Sequence, residues 1–96
     1  MASYSIIKQP SEVMTEIAVK VRNLRKESGY SQVELADRSG VSLGSLKRFE
    51  QTGQISLESF LKLLHILKRL EEFNSILNLN DELKNAEHLF SFKFKK

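Results

Sequence analysis

Residues 32–53 read QVELADRSGVSLGSLKRFEQTG, and the spacing inside this stretch decides the fold. Gly40 divides it into two short helical segments, Gln32–Ser39 and Leu43–Gln51, because a tight turn with positive φ costs little only in glycine. Ser31 and Glu34, three residues apart, form a capping box that starts the first segment. Ser42 caps the second and Gly53 closes it. Ala36 stands where the two helices approach, since a bulky side chain there would hold them apart. Val41 and Leu46 plug the space between them and fix their angle. Val33, Leu35 and Ala36 are the inward positions of the first segment, and Leu46 and Phe49 those of the second. Gly44, Ser45, Lys47 and Arg48 fall on the opposite, outer side of the second.

Outward from this stretch, a preceding helix is expected from near Ser11 to about Ser28. Ser11 would cap it and Glu12 would face the positive end of its dipole. Val13, Ile17, Val21 and Leu24 recur at helical intervals and define its apolar face. Gly29 is placed to end it. On the other side, Ser56 caps a fourth helix over Leu57–Leu70. It carries two stripes: Phe60, Leu63, Leu64 and Leu67, then Ile66, Leu70, Phe73 and Leu77. A fifth helix is expected over Glu71–Leu77, stopped by Asn78-Leu79-Asn80-Asp81. Glycines are scarce at four, and Gly29, Gly40 and Gly53 lie at intervals that suit short helices with glycine stops.

The ends differ from this pattern. Tyr4–Ile7 favours strand. Phe90, Phe92 and Phe94 alternate with Ser91, Lys93 and Lys95, which is strand spacing, and such a strand needs an edge to pair with. The expected organisation is therefore an N-terminal arm and candidate strand over 1–10, a helical domain over 11–79, and a C-terminal extension over 80–96 as a strand or mobile tail.

With 96 residues the chain holds one domain with short appendages, and 41% apolar with 28% charged residues fits a globular protein. There are no cysteines, which removes a disulfide framework, a thiolate metal site and a cysteine nucleophile together. No apolar run approaches the length of a membrane span, and the N-terminus lacks a signal-peptide block, so the chain is expected to be cytoplasmic. The net charge of +3 comes from 15 basic and 12 acidic residues and forms no polybasic arm. Bulk charge this mild does not prove a nucleic-acid partner, and it argues against a non-specific nucleoid-type DNA binder, whose affinity is mostly phosphate electrostatics.

The geometry read from residues 32–53 is a helix-turn-helix, and a helix with a small, basic outer face fits the major groove of B-DNA. The stretch, with VRNLRKESGYSQ (21–32) before it and SLESFLKLL (56–64) after it, resembles the Xre/Cro family of phage-repressor-like domains. The resemblance spans about Ile17 to Leu77. It implies an all-α fold, a compact five-helix repressor-like domain, and a regulator that binds double-stranded DNA.

By the same resemblance, Gln32 reaches a phosphate through its side chain and backbone amide, a use that a helix N-terminus also favours on its own. Leu43, Gly44, Lys47 and Arg48 take the outward positions of the recognition helix. Arg48 is the candidate for bidentate contact with guanine O6 and N7, with a phosphate contact as its alternative. Lys47 suits a phosphate or solvent. Ser42 and Ser45 can bond phosphate or bases, although Ser42 is first a cap. Leu43 and Gly44 depart from the family's polar pattern and offer weak hydrogen-bond readout. Arg25 and Glu50 match a family pair that forms a partly buried structural salt bridge.

Catalysis has no support. His65 and His88 lack a second ligand at helical spacing, so no metal is expected, and no phosphate loop or nucleophile elbow is present. No cofactor is expected. Ile66, Leu70, Phe73 and Leu77 are expected to face a second copy in a homodimer, since readers of this class use two half-sites, with core packing as the alternative for this stripe. Two functions compete. One is a stand-alone repressor on a palindromic operator. The other is an antitoxin that binds a toxin kinase and autoregulates its operon, because Leu57–Leu77, above all Leu70-Glu71-Glu72-Phe73, resembles HipB-type regulators that accompany HipA-like kinases.

Overall fold

The computed structural model describes residues 8–78 of the chain. Among them five helices follow one another: α1 (Pro10–Glu27), α2 (Gln32–Ser39), α3 (Leu43–Thr52), α4 (Leu57–Ile66) and α5 (Leu70–Asn74). The all-α expectation holds for this region. The expected strands at Tyr4–Ile7 and Phe90–Phe94, and the extension over 80–96, lie outside the described residues.

Helix starts follow the serines with one correction. Ser31, Ser42 and Ser56 each accept a hydrogen bond from the backbone amide three residues on. α1, however, is capped by Gln9 and not by Ser11, because Pro10 takes the first helical position. Proline has no amide to lose there and its fixed φ already suits the helix. Glu12 Oε1 then accepts from the Gln9 amide at 2.9 Å, so the acid read as a dipole partner also caps.

α1 ends in a Schellman arrangement: Gly29, at φ 83°, is followed by a bond from the Tyr30 amide to the Arg25 carbonyl at 3.1 Å. The second correction falls at the far end of the chain. The expected Leu57–Leu70 helix stops at Ile66, and α5 is the short Leu70–Asn74 in place of Glu71–Leu77. Lys68 turns the chain here with φ 64°. The Arg69 amide bonds the Leu64 carbonyl at 2.9 Å and the Lys68 amide bonds the His65 carbonyl at 3.2 Å, the same closure that Gly29 makes. Periodicity continues through this break because the turn sends Leu70 and Phe73 back against the same core.

That core is built by α1 to α4 and the turns between and after them, with Leu70 and Phe73 of α5 packed against it. Leu35, Leu46, Phe49 and Leu63 are fully buried, with Ala18, Val21, Val41, Leu64 and Leu67 around them. Each full burial of a large apolar side chain contributes roughly 1.5–3 kcal/mol. α1 packs on α3, α2 on α3 and α4, and α5 on α4. Phe60 stands between Phe49 (5.9 Å, edge-on) and Phe73 (5.3 Å, edge-on), linking α3 to α5 through α4. Two expected core residues are outside it: Val13 and Val33 are exposed. The buried line of α1 is Ala18, Val21 and Arg25, and α2, only eight residues long, buries Leu35 and Ala36 alone.

Gly53 is the tight point. A Cβ there would sit 2.8 Å from the backbone C and O of Met14, and its φ is 82°. Only glycine lets the end of α3 rest directly on the backbone of α1. No helix of the described residues is long and apolar enough to cross a membrane.

Candidate nucleic-acid interface

α3 is anchored from behind and bare in front. Leu46 and Phe49 are essentially inaccessible, whereas Ser42, Gly44, Ser45, Lys47 and Arg48 are exposed. Amphipathic spacing forces this division: residues three apart on a helix share a face, so seating Leu46 and Phe49 turns Lys47 and Arg48 outward. Leu43 departs from the expected outward set. It is half-buried and packs against the core cluster, so only part of it is left for a ligand.

The start of α3 is held by two serines. Ser42 Oγ accepts from the Ser45 amide at 3.1 Å and donates to Ser45 Oγ at 2.9 Å. The amides of Leu43 and Gly44, in the first turn, have no intrahelical acceptor and lie at the positive end of the dipole. A Cβ built on Gly44 meets nothing within 4 Å, and its φ is not positive. Neither fold geometry nor packing therefore requires glycine at this position.

Arg25, Glu50 and Gln32 converge behind the exposed face. Arg25 Nε donates to Glu50 Oε2 at 2.8 Å, Nη2 to Oε1 at 3.1 Å, and Nη1 to the Tyr30 carbonyl at 2.9 Å. The Gln32 amide donates to Glu50 Oε1 at 2.8 Å. Both charged side chains are nearly covered, and no buried side-chain polar atom is left without a partner among the described residues. Gln32 is thus half-buried and turned toward the recognition helix. Its outward-facing chemistry is reduced to the backbone amide at the start of α2 and the remaining amide hydrogen.

Arg48 carries a partner that the sequence reading missed. Its Nη2 donates to Oε1 of Gln54, in the loop after α3. Thr52 Oγ1 donates to the Arg48 carbonyl at 2.7 Å and accepts from the Gln54 amide at 3.1 Å. The signal was present as a threonine four residues after Arg48, but the rotamer that brings Gln54 back was not legible. Arg38, exposed on α2, stacks over the Tyr30 ring at 5.1 Å.

The residues expected at a dimer face occupy a second region. Ile66, Leu70 and Phe73 are half-buried and packed against the core, while Leu77 is 90% exposed. Leu70, Phe73 and Leu77, with Leu57, Leu61 and Ile76, line an open apolar groove of about 580 Å³ between α4 and α5. Among the described residues no group of three or more acidic or histidine side chains could hold a metal ion.

A family model described as helix-turn-helix matches residues 21–73, a span that runs from the middle of α1 into α5. No curated protein and no solved structure matches the chain significantly.

Proposed function

The chain belongs to the Cro/C1-type, Xre-like helix-turn-helix family of DNA-binding transcription regulators, and from that premise we propose that it is a sequence-specific repressor acting as a dimer on a palindromic operator. The observation that carries this reading is the exposed face of α3. Gly44, Ser45, Lys47 and Arg48 project from a helix whose other side is locked by Leu46 and Phe49. Such a helix enters the major groove without moving the core.

In this reading Arg48 pairs with guanine O6 and N7, Lys47 and Ser45 reach phosphates, and the backbone amides at the start of α2 meet a phosphate. Gln32 holds the two helices in register through Glu50 and offers its amide to the DNA backbone. Repression follows from occupying the operator. A second copy seated on the α4–α5 groove at Leu70, Phe73 and Leu77, and on Ile66 in the neighbouring hollow that Leu70 also lines, presents a second α3 about 34 Å away, one turn of B-DNA. The antitoxin reading draws on the same groove.

Selection of bound sites from random duplexes, with mass in solution measured on the same sample, tests the proposal. A palindrome with half-sites one helical turn apart and a dimeric mass is the expected result. No enrichment at low salt would overturn it.

A further inference from the structure

We infer that Gln54 is a positioning residue for base recognition: it holds the Arg48 guanidinium in the orientation that presents its fork to a base pair. The inference rests on the reading of Arg48 given above. Three hydrogen bonds close a ring around Arg48. Thr52 Oγ1 donates to the Arg48 carbonyl, the Gln54 amide donates to Thr52 Oγ1, and Arg48 Nη2 donates to Gln54 Oε1.

The ring is not free to drift. Gly53, between Thr52 and Gln54, lies so close to the Met14 backbone that a Cβ would be 2.8 Å from it. The turn is therefore clamped to α1, and the backbone of Gln54 is fixed by the body of the domain. What reaches Arg48 is a short side chain on a rigid base. The guanidinium has five N–H donors in a planar fork, and one is committed to Gln54 while the others stay available. Fixing the plane removes part of the ordering cost that an exposed, flexible arginine bears on binding. Gln54 itself is neutral and exposed, so it adds no charge toward the phosphates.

The test uses the full-length protein and the duplex recovered by site selection, with a panel of its single base-pair variants. Arg48→Ala identifies the base pair that Arg48 reads. Gln54→Ala is expected to lose about 3- to 10-fold of discrimination at that same base pair, with an unchanged salt slope because no charge is removed. Gln54→Glu keeps the acceptor, so it is expected to retain the discrimination while binding more weakly to every duplex through phosphate repulsion. Thermal melts of both variants should match the parent. A uniform loss for Gln54→Ala, a changed preference at a different base pair, or full retention of discrimination would each overturn the inference while leaving the role of Arg48 intact. If Arg48→Ala itself alters no base preference, the reading of Arg48 fails and Gln54 falls with it.

Discussion

Arg25 on α1 and Glu50 on α3 form a two-pronged ion pair with N–O distances of 2.8 and 3.1 Å, and their side chains are 9% and 4% exposed. The pair spans 25 residues of sequence and ties the recognition helix to the first helix. Removing one partner leaves a covered charge uncompensated, which costs far more than the pair's net contribution. Glu50→Ala should therefore destabilise the domain by about 3–5 kcal/mol, read as a lowered midpoint in urea unfolding. Replacing both residues, as Arg25→Met with Glu50→Leu, should recover most of that loss. An equal loss in the double variant would show that the pair matters for its bonds to Gln32 and the Tyr30 carbonyl rather than for the charge it neutralises.

Lys68 adopts φ 64°, a left-handed conformation that side chains other than glycine take at a cost. Lys68→Gly should stabilise the domain by about 1 kcal/mol. For a domain of this size that raises Tm by roughly 4–8 °C. A lower Tm would mean that the lysine side chain contributes more than the strain removes.

Gly44 has open space around its missing Cβ and ordinary helical φ. Alanine should therefore add roughly 0.5–1 kcal/mol of stability. If glycine is there to admit DNA close to the helix, the same variant should bind its operator more weakly. Gly44→Ala with raised stability and unchanged affinity would remove Gly44 from the interface.

Leu70 is half-buried at the α4–α5 groove and lies on the expected self-association face. Leu70→Glu should convert the proposed dimer to a monomer and reduce operator affinity by loss of the second half-site. Light scattering on the variant checks the mass, and circular dichroism checks that the helices persist. A dimeric mass would place the interface elsewhere.

The parts of this fold that were legible in the sequence are those with a local chemical cause. Ser31, Ser42 and Ser56 cap where a serine precedes an apolar run, and Gly29, Gly40 and Gly53 stop helices where φ turns positive. Apart from the start of α1, where Pro10 moves the cap from Ser11 to Gln9, the misread features depend on non-local choices. Lys68 makes a glycine-like turn without being glycine, so the break in the Leu57–Leu70 stretch left no residue signature. Val33 matches the apolar pattern yet is 61% exposed, because a two-turn helix has only one short side against the core. At the interface, exposure of Lys47 and Arg48 followed from the burial of Leu46 and Phe49, whereas the inward turn of Gln32 and the hold of Gln54 on Arg48 are rotamer choices set by tertiary neighbours.

The most direct check on the interface is the affinity of the parent protein and Arg48→Ala for the selected operator and its single base-pair variants, measured at two salt concentrations. Arg48→Ala should cost about 1–3 kcal/mol on the true site and lose preference at one guanine position per half-site. Equal affinity of the two proteins for every duplex at both salt concentrations would contradict the placement of α3 against DNA.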